Sequence, residues 1–145
     1  RDVHCLLYQG KYNLFNREPE EEGILRQAKE NGTGFIAFSP LAQGLLTNRY
    51  LNGIPDDSRI AKGGFLKKEA LTDEVLKKIK ALNELAIRRG QTLAEMALAW
   101  ILKDDLVTSV IIGASSVGQL ADNLKAIDNT AFSAEELKNI YQIVK

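Results

Sequence analysis

The run Gly113-Ala114-Ser115-Ser116 closes a short β-branched segment and leads into a helix-like pattern carrying Gln119, Asp122 and Asn123. Glycine admits close approach to the backbone, serine hydroxyls donate, and the first amides of a helix favour an anion, so this turn suits a phosphate group. The same spacing also fits plain helix capping, with Gln119 folded back on a cap at Ser116 and no ligand involved. A second set is Phe38-Ser39-Pro40-Leu41-Ala42-Gln43-Gly44. There Phe38 either stacks on a flat ring or packs as core, while loop amides near Gly44 are placed for a pyrophosphate. Arg49 and Arg59, the latter directly behind Asp56-Asp57-Ser58, either clamp an anion or act as solubilising surface charges. The third set is Gln9-Gly10-Lys11-Tyr12-Asn13.

Acid–base machinery is harder to find. The single histidine, His4, falls near the start of an apolar run, away from the strand end where ligands gather. Tyr12 lies on the favourable side, but Lys11 beside it points the other way along an extended chain. The sequence contains no Ser-His-Asp set, no His-rich metal cluster, no GxGxxG and no phosphate-loop lysine motif. Binding groups are present without a full set for proton transfer, and no metal ligand is assigned.

Strands and helices must position these groups. Residues 3–8 form a nearly continuous apolar run, the pattern of a strand covered on both faces. Residues 19–32 begin with proline and acids and end in Asn-Gly, which predicts a helix. Residues 35–40 are a second strand, halted by Pro40. Residues 42–71 read as a long glycine-containing loop, either functional or disordered. Thr72 caps a helix carrying Val75, Leu76, Ile79, Leu82, Leu85 and Ala86 and closing at Gly90. Thr92 to Glu95 is a capping box for the next helix, where Trp100 is expected in the core or over a helix seam. Residues 107–112 are a third strand, Ser116 starts another helix, and Ser133 with Glu136 caps the last, with Leu137, Ile140, Tyr141 and Val144 facing inward. This alternation predicts an α/β fold with parallel strands, leaving a doubly wound sheet and part of a barrel both open.

Composition sets the outer limits. With 145 residues, 45% hydrophobic and 26% charged, the chain reads as an ordinary globular domain. Lysine plus arginine and aspartate plus glutamate both number 19, so net charge draws it neither to nucleic acid nor to a membrane. No apolar run approaches the roughly 20 residues of a membrane span. No secretory signal is evident, which makes a cytoplasmic setting the expectation. Cys5 is the one cysteine, which excludes an intrachain disulfide, and its apolar neighbours predict a buried thiol. The chain opens on a strand-like run without methionine, suggesting a piece of a longer protein that on its own is unstable or rescued by association.

Taken together, Gln9 with Tyr12-Asn13-Leu14, the run from Phe38 to Tyr50, Gly53 to Arg59 and Ile112 to Asn123 resemble the C-terminal half of the aldo-keto reductases. The likeness spans residues 1–145. It is strongest for the branch holding bacterial glyceraldehyde 3-phosphate reductase-like enzymes and the β subunits of voltage-gated potassium channels. It implies the C-terminal portion of a (β/α)8 barrel that reduces small carbonyl substrates with NADPH, a homo-oligomer being allowed. By resemblance, Gln9 holds the nicotinamide carboxamide and Phe38 stacks on its ring. Ser39, Pro40, Leu41, Gly44 and Leu45 follow the pyrophosphate, with Arg49, Ser58 and Arg59 in the loop over it. Gly113, Ser115 and Gln119 meet the 2′-phosphate and adenosine ribose, and Asp122 with Asn123 face adenine. Ala114 and Gln119 stand where some relatives carry lysine and arginine, so NADH is not excluded. The family's catalytic aspartate, tyrosine, lysine and histidine belong to its N-terminal half, so no residue here is assigned as catalytic. A nucleotide-binding regulatory subunit is the alternative function.

Overall fold

The computed structural model describes residues 3–52 and 71–145. Its centre is a three-stranded parallel sheet in the order β1 (Leu7–Lys11), β2 (Gly34–Phe38), β3 (Ser109–Val110). Between β1 and β2 lie α1 (Glu18–Glu21) and α2 (Ile24–Glu30). Between β2 and β3 come two 3₁₀ turns, Ala42–Gly44 and Asn48–Tyr50, then α3 (Asp73–Arg88) and α4 (Leu93–Ile101). The chain ends with α5 (Val117–Leu124), a 3₁₀ turn and α6 (Ala134–Val144).

Register sorts the strand residues. Leu7, Gln9 and Lys11 pair with Gly34, Ile36 and Phe38, and Ile36 pairs with Ser109, so these side chains share one face. Tyr8, Phe35, Ala37 and Val110 take the other face, which carries the helices and the core. Tyr12, just past β1, packs edge-on against Phe35 and tilted against Trp100, at centroid distances of 6.3 and 5.1 Å. Met96, Leu93, Ile101, Ile79 and Leu82 complete this layer. Gly10 is required within it, because a Cβ there would stand 2.7 Å from the Phe35 ring. The opposite face is the open one, with Leu7 55% and Ile111 48% exposed.

The first strand therefore starts later than residues 3–8 and is covered on one face, not two. Pairing sets its start: the Leu6 carbonyl is the first to accept a β2 amide, from Gly34 at 2.9 Å. Cys5, expected inside, is exposed, its thiol donating to the Leu7 carbonyl at 3.2 Å. It precedes the paired segment, so the core layer does not reach it. The expected helix over 19–32 is two helices, because Gly23 at φ 76° turns the chain between α1 and α2. The third strand is shorter than residues 107–112: only Ser109 and Val110 pair with β2, flanked by Thr108 and Ile111 amides donating to Phe35 and Ala37 carbonyls.

Capping follows the sequence closely. Thr72 accepts the Val75 amide, Ser116 accepts the Gln119 amide, and Thr92–Glu95 and Ser133–Glu136 both form reciprocal capping boxes. Trp100 is core at 2% exposure, whereas Tyr141 turns outward, 5.1 Å from the Arg17 guanidinium. Among the described residues no helix is long and apolar enough to cross a membrane.

Candidate functional site

Parallel strands bring their carboxyl ends to one rim, and here that rim holds a cavity of about 480 Å³. One wall is the segment after β2, with Ser39, Pro40, Leu41, Gln43, Gly44, Thr47, Arg49 and Tyr50. The other is the segment after β3, with Ile111, Ile112, Gly113, Ala114, Ser115 and Gln119. Two stretches about seventy residues apart in sequence thus face one volume.

The first wall is bent by its backbone. Ser39, Ala42 and Gln43 take φ of 53°, 47° and 61°, a region disfavoured for residues with a Cβ, and Gly44 continues at 96°. Such conformations persist where surrounding bonds determine them, and they gather at ligand sites. Here the Ser39 carbonyl accepts from the Ala42 amide at 3.1 Å and from Asn13 Nδ2 at 2.9 Å. The Gly44 carbonyl accepts from the Thr47 hydroxyl at 2.7 Å, and Thr47 in turn accepts the Arg49 amide. Tyr50 is fully buried with its ring against Gly44, and its hydroxyl lacks a hydrogen-bond partner among the described residues.

At the second wall, Ser116 caps α5 while Gln119 Oε1 accepts from both the Ser115 amide, at 2.7 Å, and the Ser115 hydroxyl, at 3.0 Å. The capping arrangement expected from the sequence is thus realised in part, with Gln119 reaching Ser115 instead of the cap residue. One turn further on, Asn123 is 6% exposed and its Nδ2 has no partner among the described residues, whereas Asp122 is exposed and ion-paired with Lys125 at 2.7 Å.

The remaining candidates separate. Gln9 and Phe38 share the open sheet face near the rim but do not line the cavity. Leu45 is 8% exposed within the core, and Asp122 and Asn123 lie along α5 beyond the cavity wall. Ser58 and Arg59 lie outside the described residues. Tyr12 belongs to the helix side, where its hydroxyl donates to Glu20 at 3.1 Å and accepts from Lys103 at 3.3 Å. Burial, reinforced by the Glu20 charge, pushes that phenol well above its ordinary range, which keeps it a neutral donor. Gln43, Thr47 and Tyr50 carried no role in the sequence reading, and neither did Asn13. For Asn13 the available signal was an asparagine at a strand tip ahead of a turn.

A parallel α/β layer with one open sheet face and a polar cleft on the rim of strand carboxyl ends is the arrangement of a portion of a βα barrel. The chain belongs to the Aldo/keto reductase family, whose profile matches residues 1–145. It is 51% identical over 144 residues to L-glyceraldehyde 3-phosphate reductase of Escherichia coli K12, covering 97% of this chain and 42% of that protein. It is 40% identical over 129 residues to a probable voltage-gated potassium channel subunit beta of Arabidopsis thaliana, covering 87% and 39%. Among solved structures it is similar to glycerol dehydrogenase from Gluconobacter oxydans, with TM-score 0.79, 25% identity and coverage of 98% and 43%. It is likewise similar to the holo form of an aldo-keto reductase from Bacillus halodurans, with TM-score 0.74, 27% identity and coverage of 99% and 44%. The chain therefore spans less than half the length of these relatives.

Proposed function

We propose that this chain forms the dinucleotide-binding part of an NADPH-dependent reductase of aldehydes and ketones. The observation that carries this reading is the single cavity joining Ser39–Gly44 to Gly113–Gln119 at the strand tips. An extended ligand needs polar groups of different kinds in sequence along such a cleft, and the residues fit. Left-handed backbone at 42–44 with Arg49 in the same wall suits a pyrophosphate. Ser115, Gln119 and the start of α5 suit the phosphorylated ribose. Asn123 Nδ2, without a partner among the described residues, suits an acceptor on the edge of a purine. Gln9 and Phe38, on the open face, are placed for the nicotinamide carboxamide and ring. Pro40, Leu41, Leu45, Gly113 and Asp122 support these groups, and Ser58 and Arg59, carried by the family resemblance alone, are proposed as further phosphate-binding residues.

When bound, the reduced dinucleotide would supply a hydride, two electrons with one hydrogen, to the carbonyl carbon, while the proton that completes the alcohol on oxygen would come from a general acid outside this chain's assigned residues. This chain's own part is to hold and orient, since none of its residues is assigned to proton transfer. Gln119 Oε1 already accepts from the Ser115 amide and hydroxyl, so an anion there must draw both donors away from it. That requirement and the neutral Ala114 limit any preference for NADPH over NADH, so the reading allows either cofactor. Fluorescence titration of the chain with NADPH tests the reading. Saturable binding supports it, and no change at millimolar cofactor would refute it.

The similarity to a plant protein named as a probable potassium channel subunit beta favours a second reading, a nucleotide-sensing subunit. Turnover of a small aldehyde by the full-length protein with NADPH separates the two.

A further inference from the structure

Asn13 is 1% exposed and sits two residues beyond β1, between the tips of β1 and β2. Its Oδ1 accepts from the Phe15 and Asn16 amides, both at 2.9 Å, which closes the turn leaving β1. Its Nδ2 crosses to the Ser39 carbonyl at 2.9 Å. That carbonyl is the first beyond the β1–β2 ladder, whose last bond runs from the Tyr12 amide to the Phe38 carbonyl at 3.4 Å. Where the ladder stops, Ser39 enters left-handed backbone at φ 53° and starts the cavity wall that continues through Gly44. A serine holds that conformation only when neighbouring bonds fix it. An acceptor carrying two donors, one from its own loop and one from another strand's tip, is fixed in this way.

We infer that Asn13 is a positioning residue for dinucleotide binding, setting the Ser39 turn that presents the 39–44 wall to the ligand. This rests on the proposed function above. Asn13→Asp isolates the effect, because a carboxylate still accepts from Phe15 and Asn16 but turns an oxygen instead of a donor toward the Ser39 carbonyl. Asn13→Ser, whose hydroxyl can close the same kind of turn but is too short to reach Ser39, repeats the test should the aspartate variant fail to fold.

Two probes are titrated into the full chain: NADPH, which spans both walls, and adenosine 2′-monophosphate, which lacks the pyrophosphate and engages only the Gly113–Asn123 end. The expected result is NADPH affinity weakened about tenfold, with the 2′-monophosphate unchanged within about twofold. A general loss of structure would weaken both ligands together, and that result overturns the inference. Unchanged NADPH affinity in the variant overturns it while leaving the dinucleotide reading intact. Failure of the unsubstituted chain to bind either probe overturns the reading itself and this inference with it.

Discussion

Charge on the helix side of the sheet is arranged as a connected set. Arg17 forms two bonds to Glu20, at 2.8 and 3.0 Å, Glu20 accepts the Tyr12 hydroxyl, and Lys103 donates to Tyr12 while lying 4.2 Å from the Trp100 ring. Burial opposes ionisation of Glu20, yet the hydrogen bonds and charge of Arg17 outweigh it and hold the carboxyl below its ordinary value of 4.5. A carboxyl depressed by folding adds stability that is present above its unfolded value and lost as pH falls through the folded one. Denaturant midpoints measured between pH 7 and pH 3 should therefore fall below about pH 4.5, and Glu20→Gln should flatten part of that acid limb. At neutral pH the same variant should cost about 1–2 kcal/mol, because it leaves Arg17 without its charged partner at a half-buried site. Tyr50 presents the opposite case, a buried hydroxyl with no partner among the described residues. Tyr50→Phe removes an unsatisfied group, so thermal melts without ligand should show no loss of stability and a gain of up to about 1 kcal/mol.

Elements differ in how far local chemistry decides them. The caps at Thr72, Thr92 and Ser133 form as their sequence patterns predict, and Ser116 caps α5 without the reciprocal Gln119 bond, because a cap needs only residues within one turn. The Thr92 box opens α4, whose residues from Met96 to Ile101 are buried, so its loss should propagate into the core. Thr92→Ala is expected to destabilise the chain by about 1 kcal/mol in chemical denaturation. The strands were less legible because pairing is non-local. Where β1 begins depends on Gly34, and the length of β3 depends on which β2 carbonyls and amides remain for it. Gly23 was readable as a glycine, but the helix signals on both sides of it concealed the break. At the site, the rim was legible from strand–helix alternation, since ligands meet the carboxyl ends of parallel strands. The roles of Tyr50 and Asn13 were not, because a tyrosine without a partner and an amide bridging two strand tips exist only once the tips are together.

The whole molecule has two unlike surfaces. The helix side closes over an aromatic and aliphatic layer, while the other side presents Leu7 and Ile111 from the sheet, and α5 with its following turn presents Val117, Leu120, Leu124 and Ile127, 86%, 41%, 54% and 65% exposed. Those four recur at helical spacing, so they form a stripe instead of scattered contacts. The far edges of β1 and β3 pair with no other strand among the described residues, leaving backbone groups able to add one. Apolar stripe, open sheet face and free edges together exceed what a stable monomer commonly exposes. The 145-residue chain, expressed by itself, is therefore expected to elute as species larger than its 16.1 kDa monomer in size-exclusion chromatography with light scattering. Leu124→Glu combined with Ile111→Lys should shift it toward monomer while leaving the helix-side core, and hence far-ultraviolet dichroism, unchanged. A monodisperse 16.1 kDa species from the unsubstituted chain would show that these surfaces are not adhesive.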